Sequence, residues 1–229
     1  MAIAFFDVDH TLVRGSTAFH CARLFRREGL LSGRFVVEMA WAHVQHHLGV
    51  LDFDRAYIRG IQPFVGRPAA ELGRLMQECF ETHVRPNLFR DGIERVRRHH
   101  EEGDRVVLIS ASSHYLLQTF RDFLPVDDVL GFRQNIRDGV MAADFVRPIP
   151  YGPNKLPLAE EMARDAGESL ADCHFYTDNS ADLPLLRAVG HPYAVNPNFR
   201  LRREARSRGW PILKFTGTIR DARSTAACH

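Results

Sequence analysis

"AIAFFDVDHTL" spans residues 2–12, an apolar run that closes on two carboxylates, Asp7 and Asp9. Residues two apart on an extended strand point to the same side. At the carboxyl end of a parallel strand they face the crevice where open α/β sheets bind ligands. Two neighbouring carboxylates repel each other unless a cation or a shared proton compensates. Mg²⁺ fits that need where phosphate is handled, because it takes a few carboxylates and keeps several waters. The plainer alternative is that both aspartates cap the following turn, and D-x-D alone does not decide between the two.

Working outward, short apolar runs recur: "RVVLIS" (105–110), "DDVLGF" (127–132), "CHFYTD" (173–178) and "HPYAV" (191–195). Near-continuous apolar runs suit strands covered on both faces. Helical patterns lie between them. "GIERVRRHHEEG" ends on Gly103, and "NKLPLAEEMARDAG" has Asn154 placed as N-cap and Gly167 as its stop. The alternation predicts an α/β fold with a doubly wound parallel sheet. Asp138-Gly139 within "QNIRDGVMAADF" predicts a β-hairpin. Residues 16–85 break the alternation and read as helical throughout, which predicts a helical cap inserted into a core of residues 1–15 and 86–229. Residues 216–229 read as a loose tail.

At 229 residues with 45% hydrophobic content, the chain can bury a sizeable core. A net charge of +2 gives no global pull toward a polyanion, so no nucleic-acid partner is expected. Eight Arg/Lys against two Asp/Glu in residues 199–223 read as a solvated helix. Cys21, Cys79, Cys173 and Cys228 are scattered without a C-x-x-C pair, and read as reduced thiols. The N-terminal apolar run stops at Asp7 without a basic lead, unlike a signal peptide. The longest apolar stretch, "FVVEMAWAHV" (35–44), is too short to span a membrane. These features make the cytoplasm the expected location.

Three further features bear on the aspartates. "YTDNSADLP" places Asp178 at another strand end and Asp182 at the entry to a helix. "VVLISASS" ends the second strand on Ser110, with its hydroxyl and the backbone N–H groups that follow, beginning at Ala111, available to an anion. Lys155 opens a helix and is one of two lysines against 28 arginines. A compact ammonium suits a carboxylate–phosphate cluster where a guanidinium fork does not fit. Each residue alone has a bland reading, as an ST-turn, a cap or a solvated charge. All of them, in this order and at element boundaries, do not.

The order "DVDHT" (7–11), "VVLIS" (106–110), Lys155 and "DNSAD" (178–182) resembles the haloacid dehalogenase superfamily of aspartate-nucleophile phosphohydrolases, and most closely its phosphoserine-phosphatase-like branch. The resemblance implies that Asp7 is the nucleophile and Asp9 the acid and base. It implies that Thr11, Ser110, Ala111 and Lys155 bind the phosphoryl group of a small phosphorylated metabolite. Mg²⁺ would be held by Asp7, the Asp9 main-chain carbonyl and Asp178, with Asp182 orienting Lys155. The enzymatic alternative is a phosphomutase on the same scaffold; the alternative from another class is a receiver-like signalling domain phosphorylated on Asp, although a receiver has neither a helical cap nor a need for Asp9. Phosphoserine phosphatases carry a Glu shortly after the first motif, where this chain has Ser16, and a cap Arg at a place that aligns with Gly60, beside Arg59. Specificity for phosphoserine is therefore not expected. His43 and His47, four apart in "HVQHH", have a zinc-compatible spacing but lack the Glu of H-E-x-x-H, and read as one face of an amphipathic helix.

Overall fold

The computed structural model describes residues 2–35, 37–38 and 53–226. Its centre is a six-stranded parallel sheet built from β1 (Ile3–Phe6), β2 (Arg105–Ser113), β3 (Asp128–Phe132), β6 (His174–Thr177), β7 (His191–Val195) and β8 (Ile212–Leu213). The strand order is β3-β2-β1-β6-β7-β8, so the chain grows outward from β1 on one side and later resumes on its other side. The carboxyl ends of β1 and β6 thus form the switch point at which open α/β sheets place their ligands.

Alternation explains the two-sided burial. Ala4, Phe6, Val106 and Leu108 enter one hydrophobic cluster, while Ile3, Phe5, Val107, Ile109 and Phe175 enter the other. Helices cover both faces. On the first pack α1 (Thr17–Arg27), α3 (Ala69–Cys79), α4 (Arg90–Glu101) and α5 (His114–Thr119). On the second pack α6 (Lys155–Asp165), α7 (Leu183–Ala188) and α8 (Phe199–Arg208). Gly131 lets α5 start close against β3, since a Cβ there would stand 2.8 Å from the His114 Cα. The expected hairpin is β4 (Gln134–Arg137) with β5 (Val140–Phe145), and positive φ at both Asp138 and Gly139 closes it.

After β1 the chain makes one tight turn. Leu12 N and Val13 N both donate to the Val8 carbonyl, at 2.9 and 3.0 Å. Val13 then bridges Leu88, so the chain leaves for α1 and returns before α4 at neighbouring points. Between them lie α1, α2 (Phe53–Ile61) and α3. Leu24, Phe25, Leu72 and Met76 share one cluster with Phe6 and Leu108, so this helical segment and the sheet pack continuously.

Three sequence expectations are corrected. Cys21 and Cys79 are not reduced thiols: they form a disulfide with Cα atoms 5.6 Å apart, because α1 and α3 pack side by side. Cys173 is free and buried, and Cys228 lies outside the described residues. Residues 216–226 are not loose. Arg90 N donates to the Gly217 carbonyl at 2.9 Å, Thr218 is buried, and α9 (Ile219–Ala226) anchors through Asp221 to Arg14 at 2.8 Å. Asn154 sits at the N-cap position of α6 but its side chain does not cap; its amide donates to the Ile149 carbonyl at 3.2 Å. His43 and His47 lie outside the described residues. Among the described residues no helix is long and apolar enough to cross a membrane.

Candidate active site

The sheet fixes Asp7 first. Its N–H donates to the Tyr176 carbonyl of β6 at 2.9 Å, which extends the β1–β6 pairing by one residue and holds the carboxyl at the switch point. Lys155, the first residue of α6, reaches it from the second face. Lys155 Nζ donates to Asp7 Oδ1 at 2.7 Å and to Asp182 Oδ2 at 2.8 Å, with the lysine only 3% exposed. Thr177 Oγ1 donates to the same Asp182 oxygen at 2.7 Å. Thr11, fully buried in the turn after β1, places its hydroxyl 3.5 Å from Asp7 Oδ2. Asp7, Thr11, Lys155 and Asp182 therefore lie in one connected group of side chains.

Asp9 is held separately. The Thr17 N–H at the start of α1 donates to Asp9 Oδ1 at 2.7 Å, a carboxylate position favoured by the helix N-terminus. Ser112 Oγ lies 3.4 Å from Asp9 Oδ2, and 2.7 Å from the Thr17 hydroxyl. Ser110 is bonded to Ser112, Oγ to Oγ, at 3.2 Å. These residues sit where β2 loses regular register with β3, between Ile109 and Ser113, an irregularity that re-aims side chains at a sheet end. The Ala111 carbonyl accepts from Tyr57 Oη on α2 at 3.2 Å, bringing the helical segment to the site.

The charge balance is uneven. Burial, followed by the Lys155 attraction and the Asp182 and Asp9 repulsions, leaves the Asp7 carboxyl raised to about 7. Burial and repulsion from Asp7 and Asp182 likewise raise Asp178 well above the carboxylate range. Burial opposes the Lys155 ammonium, but Asp182 and Asp7 outweigh it and hold its pKa above the ordinary lysine range. One ammonium thus faces several carboxyl groups. An oxygen-only donor set with unbalanced negative charge fits a hard divalent cation.

The tight turn also frames an open pocket of about 230 Å³ lined by His10, Gly15, Ser16, Phe19, His20 and Arg23. Ser16 lies in it beside Thr17, and among the described residues no carboxylate lines it. Arg59 on α2 is solvent-exposed. The sequence reading missed Thr17, Ser112, Tyr57 and Thr177. Of these, Ser112 carried a signal: two residues beyond Ser110 on an extended strand, it shares that serine's side.

The family model for haloacid dehalogenase-like hydrolases matches residues 4–187. The chain belongs to that family. An inhibition of morphological differentiation protein from Streptomyces azureus is 32% identical over 95% of this chain and 79% of its own. A phosphoserine phosphatase from Mycobacterium tuberculosis is 31% identical over 97% of this chain and 73% of its own. Among solved structures, a Bordetella pertussis protein of unknown function has a TM-score of 0.85 at 24% identity, covering 93% of this chain and 97% of its own. A phospho-aspartyl intermediate analogue of phosphoserine phosphatase has a TM-score of 0.66 at 16% identity, covering 99% and 98%. At those identities the structures show the shared fold.

Proposed function

We propose that this hydrolase is a Mg²⁺-dependent phosphomonoesterase that works through an aspartyl-phosphate on a small phosphorylated metabolite. The observation that carries the reading is the separate handling of two nearby carboxyl groups: Asp7 bonded to buried Lys155, Asp9 bonded to the start of α1. Asp7 Oδ attacks phosphorus while the bond to the ester oxygen breaks, and Asp9 gives its proton to that oxygen so that an alcohol leaves. Asp9, now a carboxylate, takes a proton from water, whose oxygen attacks the same phosphorus and releases Asp7 and inorganic phosphate. Thr11, Ser110, the Ala111 N–H and Lys155 hold the phosphoryl oxygens, and Asp182 keeps Lys155 in place. Asp7, Asp178 and the Asp9 main-chain carbonyl would hold Mg²⁺. When bound, the ion supplies positive charge against the clustered carboxylates and the phosphate.

Two features argue against phosphoserine as the preferred ester. Ser16 stands where a carboxylate would meet a substrate ammonium, the described residues lining the pocket beside it include no carboxylate, and Arg59 is exposed. The relative named phosphoserine phosphatase argues the other way. No nucleic-acid partner is proposed. Phosphate release from sugar, polyol and small-alcohol phosphates, with phosphoserine in the panel, tests the reading. Hydrolysis that needs Mg²⁺ and stops in excess chelator is expected. Full activity in chelator contradicts it, and phosphoserine ranking first, with that preference lost in Arg59→Ala, overturns the substrate argument.

A further inference from the structure

At the opposite end of the sheet, polar side chains gather around the starts of β2, β6 and β7. Asp104 precedes β2, His174 opens β6, His191 opens β7, and His99 reaches in from α4. His174 pairs with Ala4 of β1, three residues before Asp7, which is about 10 Å along the strand. The group takes no part in the chemistry proposed for the carboxyl ends.

We propose that His99, Asp104 and His174 form a second metal site, one for a Zn²⁺-like transition-metal ion. One nitrogen or oxygen from each residue lies within 4.8 Å of the other two. Tetrahedral ligands at about 2.0–2.1 Å from zinc stand roughly 3.3 Å apart, so small side-chain shifts close the set. Two imidazoles and one carboxylate select zinc-like ions over Mg²⁺, which prefers oxygen.

The surroundings prepare Asp104 and His99 as ligands. Asp104 Oδ1 is occupied by the Ala2 N–H at 3.2 Å, leaving Oδ2 turned toward both histidines. His99 Nδ1 stands 2.8 Å from that Oδ2, and His99 Nε2 stands 2.8 Å from Tyr176 Oη. When His99 ligates through Nδ1, its single ring proton moves to Nε2 and points at the Tyr176 oxygen. A hydroxyl accepts as well as donates, so the tautomer change leaves no buried group unserved. His174 is poorly served by protein alone. Its Nδ1 is buried without a hydrogen-bond partner, and its Nε2 lies 4.0 Å from Asp104 Oδ2, beyond hydrogen-bond reach. A cation between them would take up Nε2 and leave the ring proton on Nδ1. His191 stacks on the His174 ring at 4.4 Å between centroids. Burial keeps the His174 imidazole neutral at pH 7, as a metal ligand must be. Side-chain exposures of 14% for Asp104 and 19% for His174 leave room for a water as fourth ligand.

The test uses the full chain, stripped with chelator and then held in excess Mg²⁺ to fill the oxygen site. Co²⁺ is titrated while its visible absorption is followed, and Zn²⁺ is then added in competition. One equivalent of Co²⁺ with the strong bands of a low-coordinate site is expected. Zn²⁺ should displace it and raise the melting temperature. His174→Gln, on a partly exposed residue, should weaken Zn²⁺ binding at least tenfold and abolish the bands, while Asp178→Asn should retain both. Binding that is unchanged in His174→Gln, or lost in Asp178→Asn, or absent altogether in excess Mg²⁺, would overturn the site.

Discussion

The Thr17 main-chain N–H donates to Asp9 Oδ1 at 2.7 Å. The first residue of the first helix after the turn therefore holds the carboxyl group assigned as acid and base. Ser112 completes the hold from β2, within 3.4 Å of the other Asp9 oxygen and bonded to the Thr17 hydroxyl at 2.7 Å. Ser112→Ala should lower kcat by about three- to tenfold with little change in KM, the loss of roughly 1 kcal/mol of hydrogen bonding to a group that moves protons. Steady-state kinetics on one good substrate reads this, and an unchanged kcat removes Ser112 from the positioning role.

Lys155 bonds two carboxylates while 3% exposed. Removing one partner of such a cluster leaves buried charge uncompensated, at about 3–5 kcal/mol. Lys155→Met should lose activity and lower the denaturant midpoint, and added Mg²⁺ should restore part of the stability but not the activity. Lys155→Arg should not restore the wild-type rate, because a planar fork cannot replace a compact ammonium between two oxygens. A fully active Lys155→Arg contradicts the packing argument.

The fold was legible in the sequence wherever one element settled the question. β1, β2, β3, β6 and β7 each fall on an apolar run bounded by turn residues, and Asp138-Gly139 marks the hairpin. Asp7, Lys155 and Asp182 were legible because their residue types are unusual at strand and helix boundaries. Thr17 and Tyr57 were not, since their relevance depends on which helix touches which strand end. The same holds for Cys21 with Cys79, 58 positions apart, and for Arg14 with Asp221, 207 apart. Such contacts come from packing and leave no local pattern. Residues 216–226 read as a tail for that reason, although Asp221 also accepts from Thr218 N at 2.8 Å to start their helix.

The Cys21–Cys79 bridge joins α1 to α3. Closing a loop of 58 positions in the unfolded chain is worth about 4 kcal/mol on loop entropy. Cys21→Ser with Cys79→Ser should lower the unfolding free energy by up to that amount, and non-reducing peptide mapping should find the bridge in the purified protein. A bridge that persists in cells would also argue against a reducing compartment. Finding both thiols free after purification without reductant contradicts the connection.

Burial, reinforced by His99 and His191, holds His174 below the usual histidine range at about 4. The unfolded chain, with an ordinary histidine near 6.5, binds the proton more readily than the folded one. His174 therefore contributes stability that is fully present above about pH 6.5 and is lost as pH falls from there toward 4. Chelator-treated protein should show this acid loss in its melting temperature, and His174→Gln should flatten that part of the profile. A variant with the same acid limb as wild type removes His174 as its cause.

The central claim is that Asp7 carries the phosphoryl group. Rapid quenching of the enzyme with labelled substrate, followed by peptide mass spectrometry, tests it most directly. The account predicts a phosphoryl adduct on Asp7, accumulated in Asp9→Asn when that variant breaks the intermediate down more slowly than it forms, and absent from Asp7→Asn. An adduct on Asp9 or Ser110, or turnover that persists in Asp7→Asn, would contradict it.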